Sequence, residues 1–110
     1  MIYKIDLRIV SGDIAKLSKT HHKLGEGLKK ACKKLENNPK LGELFGFLPS
    51  YIPPDCIRHC DILGRRGFRL IYYWKAGSDT IYGLMLFQRK EGYTSVDWAI
   101  ISRRISDLNI

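Results

Sequence analysis

Arg69 stands inside an aromatic and aliphatic run, Phe68-Arg69-Leu70-Ile71-Tyr72-Tyr73-Trp74. Such a run suits a buried strand. A guanidinium on that strand costs free energy unless it is paired or faces an open surface. Two arrangements satisfy it: an ion pair with Asp61 across a hairpin, or a concave sheet face that receives an anion. Phosphate is the expected guest, because the guanidinium fork matches phosphate oxygens. Just ahead lies a basic turn, Gly64-Arg65-Arg66-Gly67, whose glycines permit a tight reversal. His59 titrates near neutrality and so suits proton transfer; the plainer role is a packed or surface histidine. Lys29, Lys30, Lys33 and Lys34 crowd one helical segment. They form either a solvated face or a salt-sensitive grip on phosphates that carries no sequence information.

The whole chain favours an anionic partner. Nineteen Lys and Arg against eleven Asp and Glu give a formal charge of +8 on 110 residues. That balance points to nucleic acid, an anionic membrane or an acidic protein. Hydrophobic residues make up 45%, enough for one modest core, so a single domain over residues 1–110 is expected. The start, Met1 to Arg8, alternates apolar and charged residues and has no apolar leader segment. Nothing approaches transmembrane length, and three cysteines without framework spacing fit a reducing compartment. A cytoplasmic protein is expected. Cys56, His59 and Cys60 invite a zinc reading, but strand residues four apart are roughly 13 Å apart. That is too far for shared thiolate ligation or for a Cys56–Cys60 disulfide, so no metal is expected.

The elements that must position these residues follow from periodicity. Tyr3, Ile5, Leu7 and Ile9 alternate with charged positions, giving an N-terminal amphipathic strand. Ser11-Gly12-Asp13 breaks it and offers helix caps. Helical spacing then runs to Asn37, with a break between Thr20 and Lys23, which predicts an αα-hairpin. Asn37-Asn38-Pro39 ends it. Residues 40–55 carry three prolines and read as an irregular loop packed on the body. Cys56 to Leu63 reads as a strand with Arg58, Cys60 and Ile62 on one face and Ile57, His59 and Asp61 on the other. Phe68 to Lys75 and Thr80 to Gln88 complete an antiparallel meander. Thr94 with Asp97 resembles a capping box, and Trp98, Ile101, Ile105 and Leu108 stripe a C-terminal helix. The expected fold class is α+β, in the order β-α-α-β-β-β-α, with helices on one side of the sheet.

With that order the chain resembles the RelE/ParE superfamily of bacterial type II toxins over nearly its whole length. The resemblance rests on Leu35-Glu36-Asn37-Asn38-Pro39 followed by Gly42, Leu44, Gly46 and Leu48. It rests also on Arg66-Gly67-Phe68-Arg69-Leu70-Ile71-Tyr72, similar to a Gly-aromatic-Arg-aliphatic-aliphatic-Tyr signature, and on the apolar strand to Phe87 ending in Arg89-Lys90. A RelE-like chain is implied to be a ribosome-dependent mRNA endonuclease that uses no metal or other cofactor. The RNA's own 2′-hydroxyl attacks, leaving a 2′,3′-cyclic phosphate and a 5′-hydroxyl. Such a site needs cations on the phosphate, a group to take the 2′ proton and a group to protonate the leaving oxygen. The ParE branch is implied to share the fold and to poison DNA gyrase.

The resemblance implies roles for particular residues. Arg69 matches the phosphate-binding arginine, Arg58 a basic position on the preceding strand, and either Arg89 or Lys90 the basic residue after the last long strand. Tyr93 lies where such chains often carry an acid or base, and His59 joins the catalytic group on its titration range. Arg65, Arg66, Lys90 and the lysines at 29, 30, 33 and 34 are expected on the RNA backbone. The best-known members carry two basic residues alternating on the strand before the turn. Here Arg58 is followed by Cys60, and the turn is about two residues longer. An inactive nucleic-acid-binding relative and a gyrase-binding toxin therefore stand as alternatives. The implied partners are an antitoxin protein, the ribosome and mRNA, with no membrane.

Overall fold

The computed structural model describes residues 2–64, 67–89 and 96–110. Its elements are β1 (Lys4–Asp6), α1 (Ser11–Ser18), α2 (Leu24–Asn37), β2 (Glu43–Leu44), β3 (Ile57–Ile62), β4 (Phe68–Tyr73), β5 (Thr80–Gln88) and α3 (Trp98–Asp107). One sheet holds the strands in the order β1-β5-β4-β3-β2. β1 runs parallel to β5, and the other pairings are antiparallel. The α+β class and the meander are as the sequence predicts.

β1 is shorter than the alternation from Ile2 to Ile9 predicts. Asp6 turns onto Arg8, accepting its backbone N–H at 3.0 Å and its Nη2 at 2.7 Å, and this local turn ends the pairing. The helix break falls where expected, between Ser18 and Leu24. Leu24, Leu28, Ala31 and Leu35 of α2 form a buried stripe against Ile62, Leu70 and Tyr72. α3 departs from the expected one-sided arrangement. Its Ile101, Trp98 and Ile105 pack with Ile57, Ile71, Tyr73 and Leu84, on the sheet face opposite α2. Two layers of helix thus enclose the sheet. Asp97 is itself the α3 N-cap, its carboxylate accepting the Ile100 N–H at 3.2 Å, rather than the far half of a capping box. Thr94 lies outside the described residues.

The segment expected to be wholly irregular contributes β2. Tyr72 is fully buried, and its hydroxyl ties this segment down. It donates to the Pro39 carbonyl at 2.7 Å and accepts the Gly42 N–H at 2.9 Å. Burial pushes this phenol up to about 12, so it stays a neutral donor. A Cβ at Gly42 would stand 2.6 Å from the His59 carbonyl and 2.8 Å from the Tyr72 hydroxyl, so only glycine lets the strand approach. Glu43 consequently lies directly opposite His59.

A second polar junction closes the sheet's other side. β1 covers β5 only as far as Tyr82, leaving backbone groups of Leu84 and Leu86 on an open edge. Asp13 of α1 accepts the Leu86 N–H at 3.1 Å and the Arg104 Nη1 at 2.9 Å. Arg104 of α3 also donates to the Leu84 carbonyl at 2.7 Å. One ion pair therefore links both helical layers around the strand edge. Asp13→Ala leaves the partly buried Arg104 guanidinium with the Leu84 carbonyl but no carboxylate, and leaves the Leu86 N–H unpaired; it is expected to cost about 1–3 kcal/mol. Asp13→Asn, which still accepts from Leu86, should cost less. Urea unfolding midpoints at unchanged slope measure both.

Candidate functional site

Period-two alternation sorts the strand residues onto the two sheet faces. Arg69 sits mid-strand on β4, directly opposite Asp61 of β3 and Phe87 of β5. Its face also carries His59, two residues from Asp61, and it is the face on which α3 packs. Arg89 follows β5, and its backbone N–H donates to the Gly67 carbonyl at 2.9 Å, which returns it to the hairpin mouth. Asp61 Oδ1 lies 3.6 Å from Arg69 Nε and 3.3 Å from Arg89 Nη1. Asp61, Arg69 and Arg89 form one cluster in which two arginines share a carboxylate.

Arg69 thus has a carboxylate partner without being sealed in by it. It is paired with Asp61, and it lines an open groove of about 750 Å³. Its side chain keeps 22% of its surface exposed, while its Nε is buried and makes no hydrogen bond among the described residues. The groove wraps the edge of β3 that β2 leaves uncovered. Lys30 and Lys34 of α2 stand on one flank, and His59, Asp61, Arg69 and Arg89 on the other, with Glu43 between them. Among the described residues four cations face two carboxylates, which makes the groove basic. The α2 lysines and the strand arginines, far apart in the chain, meet here. Lys29 and Lys33 are exposed on α2 but do not line the groove.

Arg58 is placed elsewhere. It lies opposite Tyr72 on the α2 face, and its Nη1 donates to the Gly42 carbonyl at 2.9 Å. Strand alternation separates it from Arg69 by the thickness of the sheet. It braces the loop that carries β2, and Cys60 shares its face. The pair alternating on Arg69's own face is His59 and Asp61, whereas Arg58 and Cys60 alternate on the other. Tyr93, Lys90, Arg65 and Arg66 lie outside the described residues. Glu43 is the groove residue that sequence reasoning missed, since nothing local marks a two-residue strand.

His59 is held by aromatic contact. Its ring centroid lies 4.6 Å from that of Phe45, which in turn lies 4.9 Å from that of Trp98 on α3. Burial pushes its pKa below the ordinary 6.5, and Arg69 pushes the same way, with Glu43 and Asp61 opposing. The imidazole is therefore neutral at pH 7, able to accept a proton beside the Arg69 guanidinium. Cys60 is different: burial pushes its thiol up to about 12, so it stays protonated at neutral pH. Among the described residues no three His, Cys, Asp or Glu side chains converge as metal ligands.

The backbone matches a solved structure: the free state of the E. coli toxin RelE, in a variant with two arginines replaced by alanine. The TM-score is 0.60, over 98% of this chain and 99% of that one. The fold is RelE-like. Sequence identity across the match is only 14%, so the likeness lies in the path of the backbone. No protein-family model matches the chain, and no curated protein matches it. Within this RelE-like frame, among the described residues, no helix is long and apolar enough to cross a membrane.

Proposed function

We propose that this chain is the toxin of a toxin–antitoxin pair and acts as a metal-independent mRNA endonuclease on the translating ribosome. The observation that carries this is Arg69, a guanidinium in mid-sheet that opens onto a basic groove, on a backbone shared with a protein named a toxin. A phosphodiester seated there meets Arg69 and Arg89, whose N–H groups stabilise charge growing on the non-bridging oxygens. Neutral His59 takes the proton from the 2′-hydroxyl. That oxygen forms its bond to phosphorus as the bond to the 5′ oxygen breaks. A 2′,3′-cyclic phosphate remains, and the leaving 5′ oxygen takes a proton, for which Tyr93 is the proposed donor. Lys30 and Lys34 hold the flanking backbone by charge alone. The cognate antitoxin is a protein whose acidic segment covers the groove.

Mapping RNA ends after induced expression tests this reading. Cuts inside translated codons, with 5′-hydroxyl and cyclic-phosphate termini, are expected together with growth arrest. Intact mRNA with an SOS response would instead mark a gyrase-directed toxin. Normal growth at high expression would mark an inactive protein.

A further inference from the structure

We propose that Asp61 is the positioning residue of a two-arginine phosphate clamp. Its carboxylate converges Arg69 and Arg89 so that both present their remaining N–H groups to one phosphodiester. This rests on the reading of the groove as an RNA site and assigns a role that no cation there can fill.

Two guanidinium groups directed at one point repel each other, and a single shared carboxylate offsets that repulsion. Asp61 is placed to do so twice over. The β3–β4 register sets it directly opposite Arg69. The bond from the Arg89 N–H to Gly67 brings the second arginine to the same oxygen. Asp61 engages one nitrogen of each arginine. A guanidinium carries five N–H donors in a rigid fork, so most of each fork is left for a guest. Asp61 therefore aligns the donors without filling the seat. Its side chain is 33% exposed, and Arg89 is 35% exposed, so a phosphate has access from the groove. Without the carboxylate the two arginines would spread, and the clamp would become two independent charges.

Asp61→Asn separates alignment from attraction. It keeps the shape and raises the groove's net charge by one. Affinity for a non-cleavable 2′-O-methyl RNA oligonucleotide should hold or tighten about two- to fivefold. Single-turnover cleavage on programmed ribosomes should fall roughly ten- to a hundredfold from lost geometry. Asp61→Glu should recover part of the rate. If Asp61 merely competed with phosphate, Asn would raise both binding and rate. If it merely held the fold, Asn would weaken both and lower the unfolding midpoint. Either result overturns the proposal. A second readout does not depend on cleavage: the Arg69 and Arg89 Nε–Hε resonances should shift together, with one apparent affinity, as the oligonucleotide is titrated in. In Asp61→Asn they should shift with different affinities. A parent chain that cuts no RNA yet shows the joint shift would sink the nuclease and keep the clamp. A parent that cuts normally without a joint shift would sink the clamp alone.

Discussion

Arg69→Ala is expected to lower RNA cleavage by roughly a hundred- to ten-thousandfold while leaving the protein folded. The size of the effect follows from where the charge sits. In the proposed reaction Arg69, rooted in a central strand and steadied by Asp61, presents its guanidinium already oriented, without the reorganisation that a surface lysine needs. The groove floor around it is partly screened from water, which raises the worth of each donor above its value in bulk solvent. The cost to the fold is smaller. The Arg69 Nε makes no hydrogen bond among the described residues, and the side chain's ion pair at 3.6 Å is loose and partly exposed. Pairs of that kind contribute about 0–1 kcal/mol. Arg69→Lys keeps the charge but loses the fork, and should recover only part of the rate. Single-turnover rates on programmed ribosomes, beside urea midpoints for the same variants, test the division between chemistry and fold. Cleavage by Arg69→Ala at the parental rate would remove Arg69 from the site.

The same contrast explains what the sequence makes legible. The helix stripes, the break before Leu24 and the β3–β4 hairpin are local patterns, written at periods of 3.6 and 2. Arg69 was legible because a charge in an apolar run violates the pattern, and functional sites are where such violations concentrate. β2 was not, because its two residues are held by Tyr72, thirty positions from Gly42 along the chain. The α2 lysines could be read as a basic helix face, but their meeting with Arg89 depends on how α2 lies against the uncovered edge of β3. Nor does the sequence say which side of the sheet α3 will take, since its apolar stripe fits either. Arg58 shows what the register adds to a position along a strand. Alternation places Arg58 and Arg69 on opposite faces, and the turn between their strands sets which residue pairs with which. With the register in hand, the acid–base candidate on Arg69's face is His59.

His59→Gln should lower cleavage by roughly a hundred- to ten-thousandfold and abolish the acid limb of the pH–rate profile. The groups that set this limb surround the ring. Burial lowers the imidazole pKa most, Arg69 and Arg89 lower it further, and Glu43 on β2 and Asp61 on β3 raise it. The sum lies below the ordinary 6.5. A base must be neutral to act, so kcat/KM should rise as pH increases through the depressed value and level off before neutrality. The linked stability has the same sign. Because the unfolded chain binds the proton first as pH falls, the contribution of neutral His59 is present above about 6.5 and is lost as pH drops through the folded value. Arg69→Gln removes a cation that depresses the ring, so the residual activity of that variant should show its acid limb displaced upward, toward 6.5. A structural histidine would give neither result: its loss would lower the unfolding midpoint, and the profile would keep its shape at every pH where the fold survives. A proton taken by some other group, Glu43 included, would leave the limb in place in His59→Gln. The position of that limb in the two variants therefore decides whether the neutral imidazole beside Arg69 is the base or only a neighbour of it.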